Sequence, residues 1–105
     1  MIKKAVWISY DLGINGPYEE LYLWLDSMGA KECGDSLAFF QFSTKDNIEA
    51  EIKKQIRNKV RVRKRDRIYM IYLKDGKMNG SFLFGNRKSA PWKGKAYLGD
   101  DTADE

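Results

Sequence analysis

The residues best suited to bind another molecule form a cationic segment in the second half of the chain. Residues 53–67 (KKQIRNKVRVRKRDR) carry nine positive charges and one negative charge. Residues 1–52, in contrast, hold four lysines and nine acidic residues, and the last six residues have a net charge of −4. The overall charge of +4 therefore conceals a dipolar distribution. A concentrated positive field attracts polyanions through counterion release and steering, so nucleic acid is the first partner to consider.

Three arginines of this segment, Arg61, Arg63 and Arg65, alternate along the chain. Residues 61–65 indicate either a loop or the entry to a strand. In an extended backbone, alternate side chains point the same way, so all three arginines would face one ligand. Guanidinium groups suit phosphates because they present paired N–H donors. We predict that the nucleic-acid contacts within this segment come from Lys53, Lys54, Arg57, Arg61, Arg63, Lys64 and Arg65. The alternative is a solvated face, or a face that meets an acidic protein partner.

One carboxylate is placed for metal chemistry. Asp11 follows the apolar run 5–10 and therefore lies at the end of a predicted central strand. Mg²⁺ and Mn²⁺ take carboxylate oxygens as ligands, but one carboxylate makes a poor site unless a second protomer or a substrate phosphate completes it. Asp11 is the candidate catalytic and metal-binding residue. The alternative is that Asp11 caps the next helix or accepts hydrogen bonds from turn amides.

Trp92 is a candidate for contact with bases. It lies in the stretch 86–93 (NRKSAPWK), where cations surround an aromatic ring. An exposed tryptophan can stack on an unpaired base. The alternative is that Trp92 packs the C-terminal segment against the sheet. Trp7 and Trp24 are predicted to be core or dimer-interface residues.

The residue types that are missing exclude several classes of enzyme. The chain contains no histidine, which removes Ser-His-Asp and Cys-His nucleophile systems. Cys33 is the single cysteine, so it can form no internal disulfide, and we predict a small buried residue in a strand. The nine glycines match neither the dinucleotide nor the P-loop spacing. We expect no cofactor, or Mg or Mn if Asp11 is catalytic.

The length and composition predict one domain. A chain of 105 residues, 43% apolar and 13% aromatic, can bury a single modest core. We assign residues 1–99 to this domain and residues 100–105 to an acidic, disordered tail. No apolar run has the length of a membrane span or of a signal sequence, so we expect a cytoplasmic protein with no membrane partner.

Two helices are indicated by apolar residues at helical spacing. The first begins near Pro17 and ends at Gly29, which is suited to a left-handed C-terminal cap. The second begins after Asp46, which forms a capping-box pattern with Glu49. Its apolar row repeats every four residues, opposite a cationic side, and comprises Ile48, Ile52, Ile56 and Val60.

The strands differ in how continuous their apolar character is. The runs 5–10 (AVWISY) and 67–73 (RIYMIYL) are nearly unbroken, as expected for central strands. Residues 30–42 indicate two short strands separated at Gly34-Asp35, the second being 36–42, or one strand kinked there. Asp75-Gly76 indicates a hairpin whose return strand is 81–84. The order βαββαβ, plus an extra C-terminal strand, predicts an α+β ferredoxin-like sandwich, in which two helices cover one face of an antiparallel sheet.

Several short motifs resemble a known family. The first strand ends in Ser9-Tyr10-Asp11-Leu12, Ser36 precedes the aromatic strand LAFFQF, and residues 66–69 (DRIY) introduce a late strand. Over residues 4–73, this series resembles the small CRISPR-associated ferredoxin-like nuclease and integration subunit and the related virulence-associated protein D superfamily.

The resemblance implies a homodimer that contacts nucleic acid. In that family, the acidic residue at the end of the first strand faces its symmetry mate and can hold a divalent metal, and some members are metal-dependent ribonucleases. The matching position is Asp11. The loop 12–17 lacks the usual basic residues, and the stretch from Gly80 onward has no counterpart in the family.

Three functions follow from these residues. The first is a homodimeric protein that binds RNA or DNA through residues 53–67, with little or no catalysis. The second is a metal-dependent ribonuclease or deoxyribonuclease with Asp11 at the dimer axis. The third is a non-catalytic oligomeric module whose basic half meets an acidic protein.

Overall fold

A computed structural model describes residues 2–96 of the chain. The elements, in chain order, are β1 (Ile2–Asp11), α1 (Tyr18–Ser27), β2 (Lys31–Gly34), β3 (Leu37–Thr44), α2 (Ile48–Lys59), β4 (Arg67–Lys74) and β5 (Lys77–Phe84). The last residues of the predicted domain, 97–99, and the predicted acidic tail, 100–105, lie outside the described residues.

The five strands form one antiparallel sheet in the order β2-β3-β1-β4-β5. The predicted α+β class, with an antiparallel sheet and two helices, is confirmed. The arrangement is compatible with a ferredoxin-like sandwich, but β5 extends the sheet beside β4, so the strand order and count differ from those of a four-stranded βαββαβ unit. β1 and β4 lie inside the sheet, as their continuous apolar runs predicted.

The core lies between the two helices and one face of the sheet. α1 contributes Leu21, Trp24 and Leu25, whereas α2 contributes its row of isoleucines. The sheet contributes residues of four strands, namely Val6, Ile8, Ala38, Phe40, Phe42, Ile68, Met70, Tyr72 and Leu83. Burial of one large apolar side chain stabilises the fold by roughly 1.5–3 kcal/mol.

Trp24 connects the two helices to the sheet. Its ring meets Phe40 edge-on, with the centroids 5.4 Å apart, and its Nε1 donates a hydrogen bond of 3.1 Å to Gln55 Oε1 of α2. The prediction of a core or interface position for Trp24 is therefore confirmed as a core position.

We call the opposite side of the sheet the open face, because neither helix covers it in the part of the chain that the structure describes. Trp7, Tyr69 and Ile71 point to it and are half-buried. Two aromatic pairs lie there, Trp7 with Phe39 at 5.1 Å between centroids and Tyr69 with Phe82 at 4.9 Å. Trp7 is thus outside the main core.

The ends of the helices follow local capping chemistry. Gly29, with φ +68°, ends α1 as predicted, and the Ala30 amide donates to the Leu25 carbonyl. The predicted capping box at the start of α2 is wrong by one residue, because Asn47 is the N-cap and accepts a hydrogen bond from the Ala50 amide.

Two further predictions need correction. The return strand β5 begins at Lys77, four residues before the predicted start, because Asp75 and Gly76 both have positive φ and form a two-residue turn that leads directly into the strand. Cys33 is exposed rather than buried, because β2 is a short edge strand whose residues are all exposed.

No helix within residues 2–96 is long and apolar enough to cross a membrane.

Candidate nucleic-acid interface

α2 and the loop that follows it carry several cations, and we call five of them the cationic surface: Lys53, Lys54, Arg57, Arg61 and Lys64. They lie on the outside of α2 because its isoleucine row faces the core. Three of them, Arg57, Arg61 and Lys64, line an open groove of about 420 Å³ together with Phe84 of β5. The helical spacing therefore concentrates positive charge around one concave surface.

An aromatic ring supports two of these cations. Lys53 Nζ lies 5.6 Å from the centroid of the Phe84 ring, and the guanidinium carbon of Arg57 lies 5.9 Å from it. Such contacts hold a cation by the quadrupole of the ring and leave its charge unneutralised. Lys53 and Arg57 are thus placed without losing their attraction for an anion.

Few carboxylates oppose this surface. The Arg61 amide donates to Glu20 Oε1 at 2.8 Å, but the Arg61 side chain is 93% exposed and its Nε is 3.8 Å from Glu20 Oε2. An exposed pair of this kind is weak, since water and salt screen it. Within residues 2–96, Lys53, Lys54, Arg57 and Lys64 make no ion pair.

Arg63 also lines this groove, but its guanidinium is engaged within the fold, so we do not count it in the cationic surface. Its amide and its guanidinium both donate to the carboxylate of Asp66, which is fully buried, with Nη2 3.0 Å from Oδ1. The same guanidinium donates to the main-chain carbonyls of Leu12 and Asn15. A buried carboxylate requires such partners, and this requirement turns Arg63 inward.

The predicted alignment of Arg61, Arg63 and Arg65 is wrong. It depended on an extended backbone, whereas residues 61–66 form the loop that the sequence also allowed, with a turn at 64–65. Arg65 is exposed, and its Nη2 donates to the Ile14 carbonyl at 3.0 Å. Arg63 and Arg65 therefore hold the loop between β1 and α1, and Arg61 alone of the three carries its guanidinium on the cationic surface.

Asp11 lies at the end of β1, opposite Arg67 in the antiparallel register with β4. Arg67 Nη2 donates to Asp11 Oδ2 at 2.8 Å, and Arg87 Nη2 lies 3.8 Å from the same oxygen. The hydrogen bond from Arg67 lowers the pKa of the Asp11 carboxyl below its ordinary value. The Asp11 side chain remains 55% exposed.

The surroundings of Asp11 do not fit a divalent metal within one chain. Mg²⁺ and Mn²⁺ need several oxygen ligands, whereas the neighbours of this carboxylate are two guanidinium groups that repel a cation. Residues 2–96 contain no group of three or more His, Cys, Asp or Glu side chains that could hold a metal ion. Within the chain, Asp11 binds Arg67 and lies near Arg87, so it keeps the two guanidinium groups close together.

A second concave surface lies on the open face, where residues 87–92 border the sheet. We call it the aromatic groove, and its volume is about 710 Å³. Its apolar lining comprises Leu37, Tyr69, Ile71, Phe82, Pro91 and Trp92. Its polar end holds Ser9, Asp11, Arg67 and Arg87. Trp92 is 74% exposed, so it borders this groove without being packed into a core.

Some residues of the groove could have been found from the sequence. Alternation along RIYMIYL places Tyr69 and Ile71 on the face opposite Ile68 and Met70. Phe82 could be assigned to the groove only with the full length of β5, which the sequence underestimated. No local pattern indicated that the Arg87 side chain would lie near Asp11.

Comparisons of the chain with protein-family models, with curated proteins and with solved structures give no match. The geometry of the two surfaces is therefore the basis for a functional interpretation.

Proposed function

We propose that the protein binds nucleic acid, RNA or DNA, through the cationic surface and acts as a homodimer with little or no catalysis. The observation that carries this proposal is the unpaired charge of Arg57 and Lys64, which line one groove, and of Lys53, which lies near the Phe84 ring in that groove. Lys54 adds a further unpaired charge on the exposed side of α2. Evenly distributed charge would suffice for solubility. Charge gathered on one side instead favours a polyanion, which releases counterions when it binds.

The fold and family belong to the same proposal. We propose a ferredoxin-like sandwich extended by β5, related to the small CRISPR-associated subunit and the virulence-associated protein D superfamily. The order of elements and the position of Asp11 at the end of β1 support this relationship.

The homodimer is supported by the open face. The half of this face away from Asp11 carries Trp7, Phe39, Leu73 and Met78, the last two being 44% and 60% exposed. A second copy packed on this half would remove these side chains from water, and stacked sheets are a common arrangement. Sedimentation equilibrium tests this: a monomer at micromolar concentration would contradict the homodimer.

The nuclease alternative has less support, because the neighbours of Asp11 are arginines rather than further carboxylates. It retains one clear test. Incubation of labelled RNA and DNA with the protein and Mn²⁺ should yield no shortened product. Cleavage that disappears in Asp11→Asn would instead assign Asp11 to catalysis.

Binding is tested by titrating labelled single-stranded RNA and duplex DNA with the protein at about 50 and about 200 mM salt. Contact with four or five phosphates of a duplex should weaken binding roughly 10²–10³-fold across this range. The variant Lys54→Gln/Arg57→Gln/Lys64→Gln should lose most of this affinity and most of its salt dependence.

The matched control removes the same charge elsewhere, in Lys3→Gln/Lys31→Gln/Lys77→Gln, whose three side chains are exposed and lie outside the cationic surface. Equal losses in both variants would mean that net charge alone is responsible. Absence of binding at low salt would end the nucleic-acid proposal and direct attention to an acidic protein partner.

A further inference from the structure

We propose that the aromatic groove binds one unpaired nucleotide of a single strand, with its base against the aromatic side chains and its phosphate at Arg67 and Arg87. This inference rests on the proposed function. The aromatic groove would contact the base of the nucleotide, whereas the cationic surface contacts only the phosphate backbone of the nucleic acid. The consequence is a preference for single strands over duplexes.

The apolar end of the groove is built to hold a flat ring. The volume of the whole groove, about 710 Å³, lies in the usual range for small-molecule sites, roughly 300–1,000 Å³. Tyr69 and Phe82 form an edge-to-face pair, with an interplanar angle of 86°. Every base has a π-face that stacks on aromatic side chains, so such a surface accepts any base.

One of these rings packs on a glycine of β5. A Cβ atom at Gly80 would lie 2.6 Å from the Tyr69 hydroxyl and 2.9 Å from a ring carbon, so the Tyr69 ring lies directly over the backbone of β5. A larger side chain at Gly80 would displace this ring, whereas glycine lets it lie flat against the strand beside Phe82.

The polar end of the groove is suited to an anion. Asp11 accepts one hydrogen bond from Arg67 and lies near Arg87, so the three side chains together keep a net positive charge. Each guanidinium has five N–H donors, and Asp11 occupies few of them. The two arginine side chains are 29% and 36% exposed, so donors that are partly shielded from water remain for a phosphate.

The two surfaces meet at one end of the sheet. Phe84, the last residue of β5, lines the cationic groove on the helix side, and Arg67, the first residue of β4, lines the aromatic groove on the open face. A single strand can pass around this end and insert a base. A duplex keeps its bases stacked and paired, so it reaches only the cationic surface.

The groove itself is tested with mononucleotides. In ¹H–¹⁵N NMR spectra, AMP should shift the Trp92 indole signal and the Tyr69 and Phe82 amides, and adenosine and inorganic phosphate should each bind at least tenfold more weakly. Arg87→Gln should weaken AMP binding about tenfold, whereas the matched variant Lys88→Gln should not. The proposal is overturned if millimolar AMP leaves these signals unmoved, or if adenosine binds as well as AMP.

The strand preference is tested with a labelled single-stranded RNA and a blunt duplex. Trp92→Ala, an exposed position that should not affect folding, should weaken single-strand binding about tenfold and leave duplex binding unchanged. If both nucleic acids bind equally and Trp92→Ala changes neither, the groove proposal fails while the proposed function stands. If neither binds at low salt, the proposed function fails first.

Discussion

Two arginine–aspartate pairs include the adjacent residues Asp66 and Arg67, yet they serve different purposes. Arg63 and Asp66 form a network around a carboxylate that is fully buried, and this network also holds two carbonyls of the loop after β1. Arg67 and Asp11 meet at the exposed end of the sheet, where the arginine can still contact a ligand. The difference in burial indicates that the first pair supports the fold and the second belongs to a binding surface.

The largest expected effect comes from Asp66→Asn. It removes the charge that Arg63 requires and leaves donors unpaired in a buried place, which costs about 3–5 kcal/mol of unfolding free energy. Urea denaturation measures this, with Asp11→Asn as the control, for which we expect less than about 1 kcal/mol. Similar losses in the two variants would remove the distinction between the pairs.

Arg63→Lys should have a smaller effect on stability. Lysine keeps the positive charge but lacks the planar fork that contacts Asp66, Leu12 and Asn15 together. We expect a loss of about 1–3 kcal/mol, since two or more buried acceptors lose partners. Arg67→Lys, measured in parallel, should unfold close to wild type. An equal loss in Arg67→Lys would mean that the exposed pair is also structural.

Arg63 and Arg67 also show which features of the molecule can be predicted from the sequence and which cannot. The helices, the sheet class and the central strands follow from apolar periodicity, because burial depends on local spacing. The inward turn of Arg63 does not, because it depends on a carboxylate that the fold itself buries. Arg67 and Asp11 likewise become neighbours through the β1–β4 register, across 56 residues.

Two substitutions distinguish a charge on the cationic surface, which should affect binding, from a charge in the Arg63–Asp66 network, which should affect stability. Arg61→Gln should reduce the slope of log affinity against log salt by about 1, because one phosphate contact is lost. Arg63→Gln should lower stability and leave that slope unchanged, when it is measured well below the unfolding temperature. A reduced slope in Arg63→Gln would place its guanidinium in contact with the nucleic acid.

The smallest expected effect is the pH dependence of the exposed pair. The pKa of the Asp11 carboxyl is lowered in the folded state, chiefly by the hydrogen bond from Arg67. Its stabilising contribution is therefore complete above the ordinary aspartate pKa and is lost as the pH falls through the lowered value. The stability difference between wild type and Asp11→Asn should shrink over this acidic range. A difference that stays constant throughout that range would mean that the charge of Asp11 does not stabilise the fold.

The central position of β1 has a consequence for how the protein forms during synthesis. β1 leaves the ribosome before the other strands, but it pairs with β3 and β4, and its partners in β4 lie near residue 70. Contacts between distant parts of a chain form slowly, since a long loop must close before they stabilise anything. The turn at Asp75-Gly76, in contrast, joins β4 to β5 locally. We therefore expect that Asp11 cannot pair with Arg67 until β4 has been synthesised and has joined β1. The aromatic groove is then among the last parts of the molecule to form.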